Sequence, residues 1–254
     1  VFSDEKDYDH YLIDALPTLP FFSQNDPRWS DDIVGDTDAT IGEIGCAMTS
    51  TAMVLSSYAV RDPSTEASTN PGLLNEWLSA NEGYTPAGAI EWGKAGEYSS
   101  DSVLYESSLS WTSSDLSTDN DRWEDLNSLL DDGYRVITQV DADPSDGDLD
   151  EHWVVVTDFV GGDSTDPDNY GINDPWAYPY ENRNLTHYYD AANDNTFFAT
   201  RVFSCTASAP TVGSLAATPD PVTQPDPLTL TAGDVSDPYG ADSVTKVRFY
   251  MDDG

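Results

Sequence analysis

The distribution of apolar residues divides the chain into a helical first part and a strand-forming second part. Residues 47–58 lack glycine and proline and are apolar on more than one side, which predicts a mostly buried helix. Asn70 and Pro71 are suited to the cap and first turn of a second helix over residues 71–78. Residues 122–132 carry apolar side chains at helical spacing, and Gly133 ends this third predicted helix.

The second part of the chain favours strands. Apolar, β-branched and aromatic runs bounded by loops rich in glycine and aspartate predict strands at residues 134–140, 152–160, 170–174 and 197–203. Helices followed by a group of sequential strands are typical of an α+β fold. We therefore expect helices packed on an antiparallel sheet.

The composition predicts three segments. Residues 1–16 are acidic and weakly patterned, which indicates a linker or the remnant of a pro-segment. The domain core is expected at residues 17–205. Residues 206–254 are rich in proline, threonine, valine and aspartate, and short strands at 228–231 and 246–250 predict the N-terminal part of an immunoglobulin-like β-sandwich. Because a whole sandwich needs ~100 residues, we expect the native chain to continue past Gly254.

The charge is strongly negative, with 10 Lys and Arg against 47 Asp and Glu, a formal net charge of −37. Nucleic acid is excluded as a partner because phosphate binding needs basic clusters. Calcium binding and a saline working environment both remain open, and we favour the saline environment because salt screens self-repulsion. No apolar run approaches the ~20 residues of a membrane span. The composition and architecture indicate a secreted or cell-surface monomer whose leader, if any, has been removed or lies outside this sequence.

The two cysteines, Cys46 and Cys205, are too few for a disulfide framework. Cys46 follows Gly45 at the start of the first predicted helix, where unpaired N–H groups and partial positive charge favour a thiolate. Most lone cysteines are instead small buried hydrophobes, and this position alone favours that alternative. We expect Cys205 to remain a thiol.

A histidine and an aspartate complete a candidate catalytic group. His152 opens one predicted strand and Asp174 ends the next, so a hairpin about residues 161–169 would bring them together. A nucleophile, a base and a carboxylate in the order Cys, His, Asp match the logic of a thiol triad. In the alternative, His152 bonds locally at a strand end and Asp174 with Pro175 forms a turn.

Four motifs in order resemble a known family. They are PFFSQNDPRW at residues 20–29, IGEIGCAMTSTAMVL at 41–55, HWVVV at 152–156 and INDPW at 172–176. Over residues 17–205 they resemble the C39-like group of papain-fold cysteine peptidases. One departure is Ala47-Met48, where the family often has Gly-Pro.

The resemblance implies a papain-like α+β fold, a peptide or protein substrate and no required cofactor. It also implies four roles: Cys46 as the nucleophile, His152 as the base, Asp174 as the residue that orients the imidazole, and Gln24 as a side-chain donor to the oxyanion. Two other classes stay open. One is a Cys-dependent amidase or acyl transferase acting on a non-protein substrate, and the other is a non-catalytic extracellular binding or adhesion module.

Weak calcium candidates lie in an aspartate-rich loop, at Asp141, Asp143, Asp146 and Asp148. The loop fails the EF-hand register, because Gly147 falls at position seven rather than six. A solvated acidic loop is therefore favoured, and the same holds for the loop at residues 163–168. His10 and His187 have no partner at a meaningful spacing and are minor catalytic candidates. The tryptophans at positions 29, 92, 153 and 176 are expected in the core or the wall of the cleft.

Overall fold

The computed structural model describes residues 19–112, 119–146, 150–190, 196–206, 211–218 and 229–236. The described residues fall into two compact units, one within Thr18–Thr206 and the other containing the strands between residues 211 and 236. No helix among the described residues is long and apolar enough to cross a membrane.

Five helices are described in the first unit: α1 Ile41–Ile44, α2 Cys46–Ser57, α3 Pro71–Ala80, α4 Lys94–Tyr98 and α5 Asp119–Asp131. The prediction of three helices at α2, α3 and α5 is confirmed. Asn70 caps α3 as expected, since its Oδ1 accepts the Leu73 N–H at 3.1 Å. Helices α1 and α4 were not predicted, because four or five residues are too few to show a helical period.

Six strands form one antiparallel sheet in this unit: β1 Val103–Tyr105, β2 Arg135–Asp141, β3 Glu151–Phe159, β4 Tyr170–Asn173, β5 Arg183–Asn184 and β6 Ala199–Cys205. Their order across the sheet is β1-β6-β2-β3-β4-β5. Every described pairing is antiparallel, so the predicted α+β fold with an antiparallel sheet is confirmed. The sequence did not indicate β1 and β5, which are only three and two residues long.

The sheet has a hydrophobic cluster on each face, because successive strand residues point to opposite sides. On one face, Trp153 and Val155 of β3 join the buried cluster that contains α2. On the other face, Val154 and Val156 join the cluster that contains Leu126 of α5. Helix α2 is buried along most of its length, which explains its apolar pattern on more than one side.

A hydrogen bond fixes α2 to the central part of the sheet. Ser50 Oγ donates to the carbonyl of Trp153 at 3.0 Å. Since Ser50 lies one turn after Cys46 and Trp153 follows His152, this bond sets the N-terminus of α2 beside the start of β3.

The second unit contains two antiparallel strands, β7 Thr211–Thr218 and β8 Thr229–Ser236. Their register runs from Thr211 opposite Ser236 to Thr218 opposite Thr229. The predicted strand at 228–231 overlaps β8, whereas β7 was not predicted. The predicted strand at 246–250 and the acidic segment 1–16 lie outside the described residues, so the immunoglobulin-like sandwich and the linker stay predictions.

Candidate active site

Cys46 is the first residue of α2 and is partly buried. Gly45 alone separates it from α1, and the Gly45 N–H donates to the Ile41 carbonyl at 2.8 Å. A Cβ at position 45 would lie 2.4 Å from that same oxygen. Glycine is therefore required here because the backbone at position 45 lies against Ile41 of α1, directly before the residue that carries the thiol.

A cleft of about 920 Å³ opens over Cys46. Its walls combine the N-terminus of α2 with the start of β3 and the segment after β4. Three of the four predicted catalytic residues line the cleft: Gln24, Cys46 and His152. The fourth, Asp174, is fully buried and contacts His152. The lining also includes Trp92, Trp153, Trp176, Arg183, His187, Tyr188 and Arg201.

His152 and Asp174 form a buried pair. The distance from His152 Nε2 to Asp174 Oδ1 is 2.8 Å, and the side chains are 6% and 0% exposed. The predicted hairpin produces this contact, since β3 and β4 pair with Val155 opposite Asn173. Because Nε2 is engaged by the carboxylate, the imidazole has Nδ1 left for the Cys46 thiol.

The pKa of His152 is raised to about 9. Burial acts in the opposite direction and favours the neutral ring. Hydrogen bonds to Asp174 and Cys46, together with the negative charges of both, outweigh burial and favour the imidazolium. His152 is therefore held in the form that can donate a proton.

The Asp174 carboxylate accepts four hydrogen bonds. Oδ1 accepts from His152 Nε2 and, at 2.9 Å, from the Trp176 N–H. Oδ2 accepts from Tyr188 Oη at 2.6 Å and from Arg183 Nη1. Burial would raise the pKa of Asp174, but its bond to His152, the charge on His152, and the bonds to Tyr188 and Trp176 lower that pKa to about 2.

Gln24 lies in the cleft beside Cys46 and is buried. Its Nε2 donates one hydrogen to the Gly42 carbonyl at 3.0 Å, and its backbone N–H donates to the Pro175 carbonyl at 2.7 Å. An amide nitrogen carries two hydrogens, so the second remains for a ligand in the cleft. The bond to Pro175 ties Gln24 to the segment that carries Asp174, which explains how a residue far from Cys46 in sequence reaches the site.

Sequence reasoning missed Arg183 and Tyr188. They contact Asp174 from β5 and from the 3₁₀ helix Leu185–Tyr188. No motif or spacing in the sequence identifies them, because the turn between residues 175 and 182 decides where they lie. His187 lines the cleft but makes no described hydrogen bond to the His152–Asp174 pair, and burial and the Arg183 charge lower its pKa. Its minor catalytic role stays a prediction.

The four tryptophans lie where they were expected. Trp29 and Trp153 are buried, and Trp92, Trp153 and Trp176 line the cleft. The Arg201 guanidinium lies against two of them, with its Cζ 4.8 Å from the Trp153 ring centroid and 5.5 Å from that of Trp92.

The aspartate-rich loop is largely satisfied by its own hydrogen bonds. Asp141 is buried, and its Oδ1 accepts the backbone N–H groups of Asp143 and Asp150 at 3.1 and 3.2 Å. Its Oδ2 finds no hydrogen-bond partner among the described residues. Asp143 and Asp146 are exposed, and Asp148 lies outside the described residues. Within the described ranges no group of three or more His, Cys, Asp or Glu side chains is suited to a metal ion.

The comparisons with known proteins point to one family. A search of curated proteins found no match. A solved structure described as a C39-like peptidase from Bacillus anthracis is similar, with 16% identity and a TM-score of 0.39, over 76% of this chain and 98% of that one. The model of the Peptidase_C39 like family matches residues 18–198, most of the chain. On that match, the chain belongs to the Peptidase_C39 like family.

Proposed function

We propose that this protein is a secreted cysteine peptidase that hydrolyses peptide bonds in a saline environment, with Cys46, His152 and Asp174 as its catalytic triad. Family membership supports a cysteine peptidase-like function and protein or peptide substrates. The observation that carries the finer proposal is the buried His152–Asp174 pair, 2.8 Å apart, which places the imidazole in the cleft that Cys46 lines.

In the acylation step, the Cys46 thiolate attacks the carbonyl carbon of the scissile peptide bond. A carbon–sulfur bond forms, the carbon–nitrogen bond breaks, and the His152 imidazolium gives its proton to the leaving amine. Asp174 holds the imidazole by Nε2, so the exchanged proton is on the ring nitrogen that faces Cys46. In the second step, water attacks the thioester, His152 takes its proton, and the thiolate leaves.

The oxyanion that develops in both steps needs donors near Cys46. The free hydrogen of Gln24 Nε2 and the backbone N–H of Cys46 at the start of α2 are the donors that we assign. Such a donor is worth ~3 kcal/mol to the transition state. Gln24→Ala should therefore lower kcat by about 10²-fold while the alkylation of Cys46 stays largely intact, because the thiol itself is unchanged.

The two cysteines provide a matched test of the nucleophile. Cys46→Ala and Cys205→Ala each remove one thiol that forms no disulfide. In molar salt, with casein and short peptides as substrates, Cys46→Ala should abolish hydrolysis and Cys205→Ala should retain it. Equal activity of both variants would refute the triad.

Two alternatives predict different results in this experiment. A non-catalytic binding or adhesion module would leave both substrates uncleaved, and Cys46 would react with iodoacetamide only as an ordinary thiol with a pKa near 8.5. An amidase or acyl transferase acting on a non-protein substrate would keep an activated Cys46 but would not cleave the peptides. The alkylation profile and the hydrolysis assay together separate the three functions.

A further inference from the structure

Arg183 is a cation in contact with the catalytic carboxylate. Its Nη1 donates to Asp174 Oδ2, and its Nε donates to Glu181 Oε2 at 3.0 Å. The Arg183 side chain is 16% exposed and Asp174 is fully buried. Opposite charges that are this close and this desolvated interact more strongly than a surface pair does.

Two acceptors hold the guanidinium in place. Glu181 binds Nε and Nη2, which leaves Nη1 directed at Asp174. The pairing of β4 and β5 fixes the backbone of Arg183, which lies opposite Ile172. Ile172 is two residues before Asp174 in the chain. The guanidinium and the carboxylate are thus positioned by the same pair of strands.

The two halves of the proposed reaction make opposite demands on His152. Acylation needs a protonated ring to supply the leaving amine, whereas deacylation needs a neutral ring to accept a proton from water. In the free enzyme, Cys46 contributes a hydrogen bond and a negative charge that keep the ring protonated. In the acyl-enzyme the sulfur is a neutral thioester and the ring has given up its proton, so Asp174 is the main remaining group that favours reprotonation of the ring from solvent.

Among the described residues, charged or titratable groups reach the cleft around His152 from several elements, including Glu43 of α1 and Arg201 of β6. The strand of His152 itself contributes Glu151, α2 contributes Cys46, and the segment after β4 contributes Asp174. Strand β5 contributes Arg183, backed by Glu181, and the 3₁₀ helix contributes His187 and Tyr188. Among these, Arg183 is the cation that directly contacts Asp174.

We propose that Arg183 is a positioning residue that fixes the Asp174 carboxylate and offsets its charge, so that the His152 ring stays neutral in the acyl-enzyme and can accept a proton from water. Tyr188 shares the positioning role, since its hydroxyl occupies the same carboxylate oxygen at 2.6 Å. Tyr188 adds no full positive charge, so Arg183 alone supplies the offset. This inference rests on the proposed triad and adds a requirement for its second step.

The direct test measures the His152 pKa where Cys46 is absent. The chain has only three histidines, so its imidazole NMR signals are readily assigned by substituting His10 and His187. In the full chain carrying Cys46→Ala, adding Arg183→Met should raise the His152 pKa by about one unit, because the carboxylate charge is no longer offset. Arg183→Lys should keep the parent value. Arg61→Met removes an exposed arginine bonded to the Glu66 carbonyl and is the matched charge control.

Kinetics of the chain with Cys46 intact provide a second readout. Arg183→Met should lower kcat about tenfold at pH 7 and lower KM with it, because slow deacylation leaves acyl-enzyme to accumulate. The kcat/KM value should change much less. An Arg183→Met variant with an unchanged or lower His152 pKa, or with a loss confined to kcat/KM, would overturn the proposal and leave Arg183 a purely structural residue.

A further variant covers the case in which Arg183→Met does not fold. Glu181→Gln removes an exposed negative charge that competes with Asp174 for Arg183. The His152 pKa should therefore fall by a few tenths of a unit, and an increase would contradict the proposal. The NMR test does not depend on turnover. If no peptide is cleaved but the His152 pKa still shifts with Arg183, the proposed function fails and the inferred charge balance stands.

Discussion

Gly45→Ala would place a methyl group between helices α1 and α2. The added Cβ would lie 2.4 Å from the Ile41 carbonyl oxygen, 2.7 Å from its Cγ2 and 3.0 Å from its Cα. Real Cβ atoms essentially never come closer than 3.0 Å, so the backbone must move by at least 0.6 Å, from 2.4 to 3.0 Å. The atom in the way belongs to the main chain, so no side-chain rotation relieves the contact.

This displacement acts on Cys46, which directly follows Gly45. Overpacking of this kind costs about 1–3 kcal/mol, or roughly 2–12 °C in Tm for a protein of this size. A misplacement approaching 1 Å at a reacting atom lowers the rate by about 10²-fold. We therefore expect Gly45→Ala to lose more activity than its moderate loss of stability explains.

Gly93→Ala is the matched control. A Cβ at Gly93 meets no atom within 4 Å, and its backbone has ordinary helical angles. It should be neutral or stabilising by about 0.4–1 kcal/mol. Thermal melting, the rate of alkylation of Cys46 by iodoacetamide, and kcat/KM are measured for both variants. If Gly45→Ala matches Gly93→Ala in all three, the steric argument for Gly45 is wrong.

Three further predictions concern pH, salt and calcium. Because the pKa of His152 is raised to about 9 and that of Asp174 is lowered to about 2, kcat/KM should persist through neutral pH and fall as pH passes about 9; a fall centred near 6.5 would contradict this. With a net charge of −37, Tm should rise between 0.1 and 2 M KCl, where the Debye length shrinks from ~10 Å to below ~3 Å, and a flat profile would argue against a saline adaptation. Since the aspartate-rich loop is mostly bonded to itself, EDTA should leave Tm unchanged, and a fall in Tm that calcium reverses would establish a calcium site.

Long periodic segments and sequential hairpins could be predicted from the sequence. The apolar pattern of α2 and the cap at Asn70 gave those helices, and the β3–β4 hairpin correctly implied that His152 meets Asp174. In each case local propensity and a single short connection decide the outcome. The agreement between the predicted and the observed elements therefore follows from local sequence signals.

The remainder depends on contacts that the sequence pattern does not contain. Helix α1 and strands β1 and β5 are too short to show a period, and their positions follow from packing against their neighbours. Arg183 and Tyr188 reach Asp174 because of the path of the chain after Pro175. The need for glycine at position 45 likewise appears only when the Ile41 carbonyl is located, whereas the sequence indicated merely that a glycine precedes Cys46.

The charge of the chain and the charge of the site follow different rules. Salt screens exposed carboxylates that are more than a Debye length apart, but it acts much less on a buried contact. Asp174 is fully buried, so the medium does not compensate its charge, and compensation must come from groups that touch it. A chain with 47 acidic and 10 basic residues thus uses one of its few arginines against the buried Asp174 carboxylate, where ions in solution have no equivalent effect. The proposed adaptation to salt on the surface and the proposed compensation by Arg183 in the interior are therefore separate requirements on the same sequence.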